Sequence, residues 1–145
     1  MRNQIFLYLS LIYYLSSYSK NSFLAAVFKV KYARFMNKNA LSLRQKEQSI
    51  SSILEAQHAE SIELFHFDDN SFVQSAIVCT AHSRRHAKGL ATALTDFLFS
   101  NNSKPLGIEG LDNSEWILLD LSDLCVHIFL PETRGHYRLE ELFGK

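Results

Sequence analysis

Hydrophobic and polar positions alternate most sharply between Glu115 and Phe129. On Trp116–Asp120, Ile117 and Leu119 share one side, and Trp116, Leu118 and Asp120 share the other. On Leu124–Phe129, Leu124, Val126 and Ile128 alternate with Cys125, His127 and Phe129. The two runs predict a hairpin turning at Leu121, Ser122 and Asp123. Both sides are largely apolar, which predicts a pair in the middle of a sheet, covered on both faces. Upstream, Leu43, Ile50, Ile53 and Leu54 recur at helical spacing, with Lys46, Glu47, Gln48 and Glu55 expected on the solvent side. Ser42 and Gln45 have the spacing of a capping box at that helix's start. Residues 61–67 and 71–80 read as strands around a turn at Asp68, Asp69 and Asn70.

After Ala81 the period changes. Ser83 is placed to cap a helix whose stripe is Ala87, Leu90, Ala91, Leu94, Phe97 and Leu98. Its first turn carries Arg84, Arg85 and His86, which oppose the helix dipole at a cost of a few tenths to about 1 kcal/mol per charge. Such a turn meets an anion or acidic surface, or else its side chains are solvated or paired with local carboxylates. Ile108 begins a strand or pins a loop. Pro131 suits the first position of a last short helix, with Tyr137, Leu139, Leu142 and Phe143 docking the C-terminal segment. The expected architecture is α/β: a mixed sheet with helices packed on its faces.

Composition adds a boundary. Residues 1–35 hold five basic residues and no acidic one, so residues 36–145 hold ten basic and fifteen acidic residues. The second part is a single acidic domain, which disfavours direct nucleic-acid binding and suits a basic protein partner. Residues 1–35 contain an apolar run from Ile5 to Leu15 followed by serines. They read as a start-site extension ahead of Met36, or as a targeting segment. Cys79 and Cys125 lie in apolar strands without metal-ligand spacing, as buried thiols of a cytoplasmic protein do.

The segment Trp116-Ile-Leu-Leu-Asp120-Leu-Ser-Asp123-Leu-Cys-Val-His127-Ile-Phe129 resembles the ribosomal silencing factor family (RsfS, also called Iojap or YbeB). The ordered set extends the likeness over residues 42–143. It includes His58-Ala-Glu-Ser-Ile62, Asn70-Ser-Phe-Val73, Ala81-His-Ser-Arg-Arg-His-Ala87, Gly89-Leu-Ala91, Glu109-Gly110, Arg134, Tyr137, Leu139-Glu140 and Leu142-Phe143. The departures are Ser122 where the family has Gly, Ala81-His82 for Gly-Thr, and Phe143 for Trp.

The resemblance implies a nucleotidyltransferase-like core without catalytic residues. It also implies binding to the large ribosomal subunit through its protein fourteen, blocked subunit joining, lowered translation and a link to ribosome biogenesis. It requires no cofactor or metal, and free members are often homodimers. Partner-binding candidates are Trp116, Asp120, Asp123, His127, Glu109, Arg85 and Glu140. The blander roles are a core position for Trp116, turn bonds for Asp120 and Asp123, a satisfied structural histidine for His127, and anchoring of the C-terminal segment by Arg134, Tyr137 and Glu140. The competing expectation is a Mg²⁺-dependent nucleotidyltransferase. It would use Asp120 and Asp123 as metal ligands and the Ser83-Arg84-Arg85 turn for phosphate.

Overall fold

The structure, a computed structural model, describes residues 40–68 and 71–144, so the expectations for residues 1–35 lie outside the described residues. The elements in order are α1 (Leu43–Ala56), β1 (Glu60–His66), β2 (Ser75–Thr80), α2 (Arg84–Ser100), β3 (Gly107–Glu109), β4 (Trp116–Asp120), β5 (Leu124–Phe129), α3 (Pro131–Tyr137) and α4 (Leu139–Leu142). The strands form one sheet in the order β1-β2-β5-β4-β3. Only β2 and β5 run parallel; the other neighbours are antiparallel. The hairpin therefore supplies the central strand β5, and all residues of β4 and β5 are buried.

Chain periodicity decides which residues meet. Ile77, Cys79, Ile117, Leu119, Leu124, Val126 and Ile128 face a core shared with Ile50 and Leu54 of α1 and with Ala87, Leu90, Ala91, Leu94 and Leu98 of α2. Both long helices thus cover the same face. The opposite face presents Phe65, Val78, Trp116 and Phe129, and the C-terminal segment closes it through Tyr137, Leu139 and Phe143. Loop residue Val73 and Phe67 cover Leu118 and Cys125 beside it.

The local signals at the helix starts hold. Ser42 Oγ accepts from Gln45 N–H, and the Gln45 side chain accepts from Ser42 N–H, giving a reciprocal capping box. Ser83 Oγ accepts from His86 N–H at 3.1 Å, and Pro131 occupies the first turn of α3.

Three expectations need correction. Lys46 and Glu47 are buried, because the first turns of α1 lie over the ends of β2 and β5 instead of facing water. The second strand begins at Ser75, not Ser71. Residues 71–74 are taken up by a turn in which Ser71 N–H donates to Asp68 C=O and Phe67 N–H to Gln74 C=O. The C-terminal helix is broken in two at Arg138, whose φ of 46° ends α3 in the left-handed region. That break rotates Leu142 outward, and it is 62% exposed, while Leu139 and Phe143 do the docking.

Candidate functional site

The hairpin holds a polar pair in an apolar setting. Trp116 Nε1–H donates to His127 Nδ1 at 3.3 Å. The Trp116 ring stacks on Phe129 at 4.7 Å and meets Tyr137 at 4.8 Å. His127 is 1% exposed, and burial lowers its pKa from 6.5 to about 3, which keeps it neutral. A neutral imidazole accepting at Nδ1 answers the indole donor, so a buried N–H that would otherwise lack a partner is satisfied. Both residues are thus core residues of the hairpin, shaping the surface above them.

The turn end of the hairpin is fixed by separate contacts. Ser122 N–H donates to Asp120 Oδ1 at 2.8 Å, and Asp123 N–H donates to Leu121 C=O at 3.0 Å around a Ser122 φ of 76°. This is a γ-turn with its centre in the left-handed region. Asp123 accepts from Lys46 Nζ at 2.7 and 3.0 Å, and its carbonyl accepts from the N–H groups of Gln74 and Ser75. Lys46 thus ties α1 to the hairpin turn. Asp120 and Asp123 serve different partners, the turn backbone and an ammonium. Among the described residues, no three His, Cys, Asp or Glu side chains gather as a metal site. Burial pushes the Cys79 thiol up to about 12 and the Cys125 thiol higher still.

The opposite end of the sheet is more open. Here β2 runs into α2 on one face, while β5 runs into α3 on the other. Between them lies a crevice of about 600 Å³ lined by His82, Arg84, Glu115, Trp116, Pro131, Glu132 and Tyr137, among others. The basic first turn of α2 finds local partners. Arg84 donates to Glu115 at 2.6 Å. His86 Nδ1 accepts from His82 N–H at 3.1 Å, and its Nε2 donates to Gln57 C=O at 2.8 Å, at the C-terminal end of α1. The His82 and His86 rings stack 5.0 Å apart. Arg85 is exposed and makes no ion pair among the described residues. Glu109 is likewise exposed, at the end of edge strand β3.

Beside this end, Arg134 joins the C-terminal segment to the sheet. It donates to Glu140 at 2.6 Å, Ser61 C=O at 2.7 Å, Thr80 Oγ1 at 2.9 Å and Glu63 at 3.0 Å. The candidate residues are therefore dispersed. Trp116 and His127 touch each other, Asp120 and Asp123 share a turn, and Arg85, Glu109 and Glu140 stand apart. Sequence reasoning missed Lys46 and Glu115, whose partners lie 77 and 31 residues away. No local spacing encodes such pairs.

Residues 40–145 match a family model described as ribosomal silencing factor during starvation. A ribosomal silencing factor of Chromobacterium violaceum is 33% identical over 96 residues, covering 66% of this chain and 79% of that protein. A mouse protein named mitochondrial assembly of ribosomal large subunit protein 1 is 44% identical over 36 residues, 25% of this chain and 16% of its own length. A crystal structure of a Chromobacterium violaceum protein superimposes with a TM-score of 0.68 at 30% identity, covering 72% of this chain and 88% of that one.

Proposed function

This chain belongs to the ribosomal silencing factor family, and on that premise we propose that it binds the large ribosomal subunit through that subunit's protein fourteen and blocks joining of the small subunit, so lowering translation. The observation that carries this reading is the family match across residues 40–145, the whole of the described domain. The name of the mouse relative supports a link to large-subunit assembly. The acidic balance of residues 36–145 suits a basic partner.

The reading is of a non-enzymatic factor that acts by steric exclusion, in the cytoplasm, with a nucleotidyltransferase-like core put to a binding use. It asks of the protein a rigid complementary surface of roughly 1,200–2,000 Å² in total, and no cofactor. The hairpin, anchored by Lys46 at its turn and buried on both faces, is suited to hold such a surface in shape. Trp116 and His127 would act from within by fixing the hairpin. Asp120 and Asp123 would act at its turn, and Arg85, Glu109 and Glu140 as charges around it. Homodimerisation of the free protein belongs to the same reading. Among the described residues, no helix is long and apolar enough to cross a membrane.

Co-sedimentation of the full chain with purified large and small subunits, at two salt concentrations, tests the proposal. Binding to the large subunit alone, weaker at high salt and sufficient to prevent subunit joining, is the expected result. Absence of large-subunit binding at both salt concentrations overturns it.

A further inference from the structure

The crevice is where the topology of this sheet favours a ligand. Strands β2 and β5 are adjacent and parallel, and the chain leaves their carboxyl ends toward opposite faces. Such a divergence opens a cleft that no side-chain packing closes, and ligands of α/β sheets collect there. The walls come from both sides: His82 and Arg84 from the entry to α2, and Pro131, Glu132, His136 and Tyr137 from α3.

The charges decide the kind of occupant. Arg84 gives one guanidinium nitrogen to Glu115 at 2.6 Å, so its charge is already balanced by a neighbouring carboxylate. The second oxygen of Glu115 has only a 3.5 Å contact with Asn113, at the outer limit of a hydrogen bond. Glu132 makes no ion pair among the described residues. With Arg84 and Glu115 cancelling, the uncompensated full charge at the crevice is the Glu132 carboxylate. The aromatic lining is Tyr137 with Trp116, their rings 4.8 Å apart. Carboxylates beside an aromatic ring suit a guanidinium, which is planar, stacks on rings and forks onto carboxylates, better than a compact and strongly hydrated ammonium.

We propose that this crevice receives an arginine side chain from a basic protein partner, held between the Glu115 and Glu132 carboxylates against Tyr137. The identity of that partner as a large-subunit protein rests on the function proposed above; the chemistry of the crevice does not. The net acidity of residues 36–145 favours the approach of such a partner.

The test has two arms, both on the full chain. In the first, N-acetyl-arginine amide, its lysine counterpart and inorganic phosphate are titrated while NMR follows the indole N–H signal of Trp116, the single tryptophan. Saturable shifts with arginine are expected, with affinity at least about fivefold weaker for lysine and about fivefold weaker for arginine in Glu132→Gln. No saturable response, an equal response to lysine, or a phosphate response on the same signal overturns the proposal.

In the second arm, large subunits are bound by the wild type and by the E115Q/E132Q double variant, which alters two surface side chains and spares the core. A loss of about tenfold or more in the double variant supports the crevice as the partner's arginine site. Equal binding overturns that assignment and leaves the proposed function standing. If the wild type ignores large subunits yet titrates arginine through Glu132, the proposed function falls and the arginine site stands.

Discussion

The indole N–H of Trp116 and Nδ1 of His127 meet at 3.3 Å on one face of the hairpin, diagonal to each other, since His127 sits opposite Leu118 and Trp116 opposite Phe129. Both strands are buried on both sides here, so neither group has water as an alternative partner. The bond requires His127 to be neutral and to leave Nδ1 unprotonated.

Stability should therefore fall in acid. The folded-state pKa of His127 is about 3, below its ordinary value of 6.5. Between the two, the unfolded chain takes up a proton that the folded chain refuses. The stability is present in full above about pH 6.5 and is lost progressively as pH falls toward 3, on the order of 5 kcal/mol in all. His127→Leu should cost about 1–3 kcal/mol at pH 7 by leaving the indole N–H without an acceptor, and should flatten this slope. Urea unfolding at pH 7, 5 and 4 checks both; an unchanged slope in the variant removes His127 as its source.

Lys46 and Asp123 should behave asymmetrically. The Lys46 side chain is 10% exposed and that of Asp123 22%. Asp123→Asn strands a nearly buried ammonium and should cost about 2–3 kcal/mol, whereas Lys46→Met keeps the packed stem and should cost less. Reversal to Asp123→Lys should destabilise strongly by setting two ammonium groups together. A double-mutant cycle on Lys46→Met and Asp123→Asn should return a coupling of about 1–2 kcal/mol, and additivity within error would show that the two charges do not interact.

Ser122→Gly should raise stability by roughly 0.5–1 kcal/mol. Its φ of 76° is strained for a residue with a Cβ and unstrained for glycine, and this gain exceeds the added entropy of the unfolded chain. A lower denaturation midpoint in the glycine variant would show that the serine side chain contributes more than its backbone strain costs.

Arg134→Lys should destabilise by about 2–4 kcal/mol despite keeping the charge. One guanidinium serves two carboxylates, a carbonyl and a hydroxyl, and an ammonium lacks the fork to reach all four. Hydrogen exchange should show the loss as faster exchange in β1 and in residues 137–143 together.

Much of the fold was legible because its signals are local. The capping box at Ser42, the cap at Ser83, Pro131 in the first turn of α3 and the alternation along the hairpin each depend on neighbours a few residues away. The errors arose where tertiary position overrode periodicity. Lys46 sits on the polar side of a simple helical count, but α1 overhangs the sheet ends and Asp123 is there to receive the ammonium. Leu142 fits a helical stripe only if the helix is continuous, and the left-handed Arg138 interrupts it. The crevice was invisible for a related reason: it is made by two chain exits that diverge, and divergence is a property of topology rather than of any motif.

The aromatic face has one more implication, for synthesis. Its cover, Tyr137, Leu139 and Phe143, lies at the far end of the chain from Phe65, which it shields. A nascent polypeptide that has emerged only as far as Phe129 can assemble the core beneath both long helices, but Trp116 and Phe129 would still face water. Emergence of residues 137–143 therefore converts a sticky intermediate into a protected one, and for that interval a chaperone would find its target on the side of the sheet away from α1 and α2.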